Sequence, residues 1–353
     1  MIKTTAIKLV KSEPMMVTWD LGRRCNYDCT YCESTRHNNY SKHRTFDELK
    51  GALDFIKKYS TLYGHDKVNI SFTGGEPTSN PIFFDFAEHA KSFNSFNLGL
   101  TSNGTFSDKL IDRIEKIFSW VVISYHAESN AKLKKRVLEN IKSLNSKNIR
   151  LSVNVMMHVD YWEECVEVCE TLKSLGIKFN PRPIGDGNIT VKGWFQDADG
   201  TSRRTSHTYS KEQQDWYFVF MNAPVPSAEK REGTELGRNC CGGRCMKGKV
   251  DNVWQSVNLI DTNFKDWYCS VNKYFLHIDN ETELVYHHQT CQAKFGGSRG
   301  SIGSLRDIES IFNYVEQNKN NTIICPNSRC GCGMCVPKAE DKNEYDSLMR
   351  SRP

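Results

Sequence analysis

Residues 15–32 read Met15-Met-Val-Thr-Trp-Asp-Leu-Gly22-Arg-Arg-Cys25-Asn-Tyr-Asp-Cys29-Thr-Tyr31-Cys32. A β-rich run leads straight into a glycine and then into three cysteines spaced Cys-x3-Cys-x2-Cys. Three thiolates on so short a loop can hold three corners of a cubane iron–sulfur cluster and leave the fourth iron open. Zinc is the alternative reading. A structural zinc site wants four protein ligands, and His37 is a candidate fourth.

Working outward, short β-rich runs alternate with helical patterns. That rhythm predicts parallel strands joined by crossover helices. The strands are expected at Met15–Leu21, Val68–Phe72, Asn97–Thr101, Trp120–Ser124, Arg150–Met156 and Lys178–Asn180. The first helix opens on the capping box Thr45-Phe-Asp-Glu48. A later one carries Leu133, Val137, Ile141 and Leu144 on one face, and its basic run 132–136 reads as a solvated surface. The pattern predicts an α/β fold, a partial (β/α)6 barrel over residues 1–185.

In such barrels chemistry collects at the C-terminal ends of the strands. Each predicted strand here ends in polar or glycine residues: the cysteine loop, then Thr73-Gly-Gly-Glu76-Pro77, Ser102-Asn103-Gly104, Tyr125-His126-Ala-Glu128, Met157-His158, and Pro181-Arg182-Pro-Ile-Gly185-Asp-Gly187. His126, Glu128 and Arg182 are candidate substrate contacts. His158 is a weaker one. Cys165 and Cys169, four apart on a predicted helix, read as a buried apolar pair.

Cys25, Cys29, Tyr31 and Cys32, together with Gly74-Gly75-Glu76-Pro77, resemble the radical SAM superfamily over about residues 15–185. The resemblance implies a [4Fe-4S] cluster on Cys25, Cys29 and Cys32, with S-adenosylmethionine chelating its open iron. It further implies that Gly74, Gly75 and Glu76 meet the methionine amino group and that backbone near Tyr31 faces the adenine. Ser102, Ser124 and Asn154 are candidates for the ribose and carboxylate contacts. On this resemblance the protein is an enzyme. A one-electron donor such as flavodoxin or ferredoxin serves it, and it acts on a small-molecule or peptide substrate.

Beyond residue 185 the rhythm breaks. Residues 186–252 read as an irregular linker or wrapping region. It holds a short helix capped by Ser210 and Gln213, and residues 223–250 carry two Pro and five Gly. Nine of the 14 cysteines fall between Cys240 and Cys335. A hairpin is expected over 274–288, turning at Asp279-Asn280-Glu281, with His287 and His288 alternating across its second strand. A helix over Leu305–Gln317 follows, and the chain is expected to end in a cysteine-dense loop. Residues 253–353 resemble a twitch domain, the shortened form of the SPASM extension. That implies a small α+β auxiliary [4Fe-4S] domain with Cys269 and Cys291 as one ligand pair. The second pair is drawn from Cys330, Cys332 and Cys335, and Cys325 is not settled either way. A tetrathiolate zinc knuckle fits the same spacing.

The 353 residues suggest about two domains at ~150 residues each. A net charge of +5 argues only weakly for any polyanion, so nucleic acid is not favoured. The longest apolar run, Trp216 to Met221, is far short of the ~20 residues a membrane span needs. With no apolar leader at the start, a cytoplasmic location is expected, where cysteines serve metal or redox chemistry. Two rivals remain: a ribosomal-peptide maturase, and a non-catalytic zinc or iron–sulfur binding module.

Overall fold

The computed structural model describes residues 4–9, 14–32, 37–184, 195–196, 202–203, 208–222, 246–255, 262–288, 301–327 and 336–350. In chain order these begin with β1 (Thr4–Leu9), β2 (Met15–Asp20), α1 (Phe46–Leu62), β3 (Val68–Thr73), α2 (Phe83–Lys91) and β4 (Phe96–Ser102). There follow α3 (Ile111–Ile117), β5 (Trp120–His126), α4 (Ala131–Asn145), β6 (Arg150–Met157), α5 (Trp162–Ser174) and β7 (Phe179–Pro183). Beyond them lie β8 (Phe195–Gln196), β9 (Ser202–Arg203), α6 (Lys211–Asn222), β10 (Met246–Val250), β11 (Val253–Gln255) and β12 (Tyr268–Cys269). The last are α7 (Val271–Tyr274), β13 (Phe275–Asp279), β14 (Leu284–Tyr286), β15 (Gly303–Ser304), α8 (Ile308–Asn318), β16 (Ile323–Ile324), β17 (Lys338–Ala339) and α9 (Lys342–Arg350). The fold is α/β.

The chain parts into two compact units. One comprises Asp20–Leu49 and Ser71–Ala228; the other comprises Met1–Trp19, Lys50–Ile70 and Glu229–Pro353.

In the first of these, β4, β5, β6 and β7 lie side by side in sequence order, all parallel. Alternate residues of β5 and β6 are buried, as a sheet with one covered face requires. Phe72, Phe83, Phe86 and Phe118 make edge and stacked ring contacts that fill the covered side. Gly99 is where β4 must yield to β5. A Cβ there would lie 1.8 Å from the Trp120 ring. Both expected caps form. Glu48 N donates to Thr45 Oγ1 while Thr45 N donates to Glu48 Oε2, and Ser210 and Gln213 make the same exchange.

The other unit contains a six-stranded sheet in the order β11-β10-β1-β17-β12-β16. Strand β1 lies antiparallel between β10 and β17, so residues 4–9 are held by residues 246–250 on one side and 338–339 on the other. The expected hairpin is present as β13 and β14, with β15 added antiparallel. Asp279 accepts from Glu281 N and Thr282 N to close its turn, and Trp19 Nε1 donates to Asn280 Oδ1 at 2.7 Å. Tyr59, fully buried, donates to the Asn272 carbonyl at 2.6 Å.

Several expectations need correction. Strand β14 ends at Tyr286, so His287 and His288 follow the strand and do not alternate across it. His287 is buried and His288 half-buried, and loss of solvent lowers the basicity of each, to about 3 and about 4. The helix expected from Leu305 starts at Ile308, because Ser304 first caps a 3-10 turn over Leu305–Asp307. The chain does not end in a cysteine-dense loop. Strand β17 and α9 follow it, and Tyr345 and Leu348 of α9 pack with Ala6 and Ala339. Among the described residues no helix is long and apolar enough to cross a membrane.

Candidate active site

The cysteine loop leaves the end of β2 and is anchored at successive strand ends. Its base pairs with residue 38: Cys25 N donates to Asn38 O at 2.7 Å and Asn38 N to Arg23 O at 2.8 Å. Behind that base runs the Gly74-Gly75-Glu76 turn, and Glu76 N donates to Arg24 O at 2.9 Å. Gly74 and Gly75 have φ of +85° and +43°, the left-handed region. A Cβ on Gly75 would fall 2.3 Å from Arg24 O. The two glycines therefore let one loop lie against the backbone of the other.

Glu76 is buried and meets four donors. Thr78 N, Thr78 Oγ1 and Ser102 Oγ reach Oε1 at 3.0, 2.6 and 2.8 Å, and Asn103 N reaches Oε2 at 2.7 Å. Burial nonetheless outweighs these donors and raises its carboxyl above the usual range. Next along, Asn26 donates to Thr105 Oγ1 at 2.8 Å and accepts from Asn103 Nδ2 at 2.7 Å. Thr105 Oγ1 in turn donates to Asn103 Oδ1 at 2.6 Å, which closes the ring.

The end of β5 holds the rest of the loop. Tyr31 Oη and His126 Nδ1 are 2.5 Å apart, and their rings stack at 6.0 Å. His126 Nδ1 also lies 3.5 Å from Cys29 Sγ. Burial lowers the His126 imidazole to about 4, so it is neutral near pH 7. Glu128 accepts from Thr30 N at 2.8 Å and Thr30 Oγ1 at 2.9 Å. Behind it, His158 Nε2 lies 3.4 Å from Glu128 Oε2.

The thiols themselves suit a cationic occupant. Burial raises Cys25 and Cys29 above the ordinary thiol range, and for Cys29 the charges of Glu128, Cys32 and Cys25 push the same way. Three sulfurs close enough to repel one another, beside a carboxylate, lose that penalty when metal deprotonates and binds them. Among the described residues no three His, Cys, Asp or Glu side chains converge on the point a single ion would occupy. A cubane asks for a wider arrangement, because each thiolate ligates a different iron. The donor set fits a cluster.

Three of the sequence-selected polar residues separate in space. Ser124 and Asn154 are register partners, and Asn180 of β7 continues the row. Paired residues in a parallel ladder point to one face, so this polar row lies across three strands on the half-exposed face. His126, Met156 and Arg182 form the next row. Ser102 instead pairs with buried Ile123 and spends its hydroxyl on Glu76. Asn26, Thr30 and Asn180 were not singled out from sequence. Their partners are remote in the chain, and only the strand register reveals them.

In the other unit Cys269 is buried with Leu9, Val271, Tyr274, Ile323 and Val336. Cys325 lies just past β16, where its amide donates to Trp267 O at 2.9 Å. Cys291, Cys330, Cys332 and Cys335 lie outside the described residues, as do Gly185, Asp186 and Gly187. Cys165 and Cys169 are fully buried on α5, as a structural pair should be.

A parallel α/β unit with a three-cysteine loop fastened across its strand ends has the parts of a metal-cluster site. Residues 19–187 match the family model described as Radical SAM superfamily. A probable GTP 3′,8-cyclase of Methanocaldococcus jannaschii is 30% identical over 27% of this chain and 30% of that protein. The PqqA peptide cyclase of Bradyrhizobium diazoefficiens is 24% identical over 51% of this chain and 48% of its own. The chain thus spans less than half the length of these curated relatives. Native anSMEcpe with bound AdoMet is a similar solved structure: 14% identity, 87% of this chain and 82% of that one covered, TM-score 0.47.

Proposed function

We propose that the protein is a radical SAM enzyme whose Cys25, Cys29 and Cys32 hold a [4Fe-4S] cluster with one open iron. The observation that carries this reading is the fastening of the three-cysteine loop to the ends of β3, β4 and β5, through Arg24 to Glu76, Asn26 to Asn103 and Thr105, and Thr30 and Tyr31 to Glu128 and His126. When bound, the cluster and S-adenosylmethionine together supply a reductive cleavage that gives a 5′-deoxyadenosyl radical able to take hydrogen from a substrate.

The chain's own residues bind and orient. The backbone of Gly74 and Gly75 offers close approach to the methionine ammonium. Glu76 shapes that turn from within, since its carboxylate is met by Thr78, Ser102 and Asn103. Ser124 and Asn154, adjacent on the half-exposed face, are placed for ribose or carboxylate contacts. Backbone at Tyr31, beside His126, faces the adenine. His126 and Arg182 lie one row further along.

In this reading residues 1–185 form a partial (β/α)6 barrel. Residues 253–353 form a twitch-like domain with an auxiliary [4Fe-4S] cluster on Cys269, Cys291 and two of Cys330, Cys332 and Cys335. The net reaction is then an oxidation, with flavodoxin or ferredoxin as donor, in the cytoplasm. The similarity to PqqA peptide cyclase covers more of this chain than the match to the GTP cyclase, and it favours a peptide over a small-molecule substrate.

Anaerobic reconstitution tests the reading. About eight irons per chain are expected, two cubanes, with 5′-deoxyadenosine formed on reduction by dithionite in the presence of S-adenosylmethionine. Zinc uptake without that nucleoside would overturn it.

A further inference from the structure

The short span from Cys29 to Cys32 is a turn, closed by Cys32 N donating to Cys29 O at 3.0 Å. Its two outer residues are cysteines, and its two central residues are Thr30 and Tyr31. Each central residue is fastened to the end of β5: Tyr31 by His126, Thr30 by Glu128. The second outer position of a turn donates to the first, so the Thr30 amide has no role in closing it. Glu128 Oε1 takes that amide, and Oε2 takes the Thr30 hydroxyl. An ionised acceptor makes both bonds roughly twice as strong as neutral ones.

Glu128 is itself held. Its side chain is 12% exposed and that of His158 is 6% exposed. His158 Nδ1 accepts from Asp160 N at 3.2 Å, at the start of the turn that leads into α5. That bond assigns the ring proton to Nε2, which faces Glu128 Oε2. Both carboxylate oxygens are thus engaged by Thr30 and His158, not turned toward a substrate.

We propose that Glu128, backed by His158, is a positioning residue. It clamps Thr30 and thereby sets Cys29 and Cys32, the thiols on either side of the turn. The proposal rests on reading those thiols as cluster ligands. Its benefit is preorganisation: a loop already shaped has less freedom to lose on taking up a cluster, and its ligands hold one geometry when the second ligand docks.

The test compares wild type with Glu128→Ala, Glu128→Gln and Thr30→Val. In the metal-free chain, hydrogen exchange is read on the peptide spanning residues 26–32. Glu128→Ala should speed exchange of this segment by about tenfold, the loss of charge-assisted bonds. Glu128→Gln, which keeps one acceptor for the amide but not the charge, should fall between wild type and Glu128→Ala. Thr30→Val alters a surface residue and threatens no core. It should give about threefold, since the amide bond persists.

In the reconstituted protein, the electron paramagnetic resonance of the reduced cluster is recorded with and without S-adenosylmethionine. Glu128→Ala should change the g values and the shift induced by the added ligand, and Thr30→Val should move them in the same direction. If wild type loads a cluster yet Glu128→Ala matches it in exchange and spectrum, the clamp is overturned and the cluster reading stands. If wild type takes up no cluster although Glu128→Ala loosens the loop, the cluster reading falls, and with it the purpose assigned to Glu128.

Discussion

Gly75 lies against Arg24 so closely that a Cβ on the glycine would meet the arginine carbonyl oxygen at 2.3 Å. Replacing it by alanine should cost about 1–3 kcal/mol for the left-handed backbone alone, with the collision added. Gly176 is the control. Its φ is +66°, and nothing lies within 4 Å of a Cβ built there. Urea unfolding should therefore show Gly75→Ala clearly less stable than Gly176→Ala. Equal midpoints would mean that the two loops do not pack as described.

Asn140 on α4 is buried and sends Nδ2 to the carbonyls of Gly104 and Phe106, both at 2.8 Å. It ties the turn after β4 to the helix beside it. Asn140→Ala leaves two buried acceptors unmet and should cost about 2–3 kcal/mol. Asn140→Asp sets a carboxylate against two carbonyls and should be worse still. If the aspartate variant equals or exceeds the alanine one in denaturant, the donor assignment is wrong.

His126 gives the metal-free protein a defined pH response. Its imidazole is depressed by burial to about 4 in the fold, against an ordinary value near 6.5. Between those values the unfolded chain binds the proton and the folded chain does not. The stability tied to neutral His126 is therefore complete above pH 6.5 and is lost as pH falls toward 4. His126→Asn removes that titration. The stability gap between wild type and this variant should narrow, or turn against wild type, from pH 7.5 to pH 5. A gap independent of pH would show that the buried ring is not the titrating group.

Cys269 separates a ligand from a core residue. As an auxiliary-cluster ligand, its change to alanine should drop reconstituted iron from about eight to about four per chain. Cys165→Ala, on α5, should leave iron unchanged. A full iron complement in Cys269→Ala would place that thiol among its apolar neighbours Leu9, Val271 and Ile323 and nothing more.

Much of this was legible in the residues because the signals are local. The alternation Met15, Val17, Trp19 marks β2, and it is found with those three side chains buried. The capping boxes at Thr45 and Ser210 and the turn at Asp279 are written within four residues each, and all three form. What escaped is non-local. Strand β1 has partners more than 230 residues away, so nothing near Thr4–Leu9 announces it. Helix α9 was hidden by the cysteines that precede it. Ser102 and Ser124 looked equivalent at strand ends, yet register sends the first inward to Glu76 and the second to the half-exposed face. Glu128 reads in the sequence as a candidate substrate contact at a strand end, because its partner Thr30 sits 98 residues earlier.

The pairing of β1 with β10 and β17 also fixes an order of events during synthesis. As the chain is made, β1 cannot find its neighbours until residues 246–250 and 338–339 have emerged. Translation at about 5–20 residues per second makes that a wait of tens of seconds. During this interval the apolar residues Ala6, Ile7 and Leu9 have no sheet to enter, so nascent chains stalled before residue 246 are the ones a chaperone that recognises exposed strands should hold.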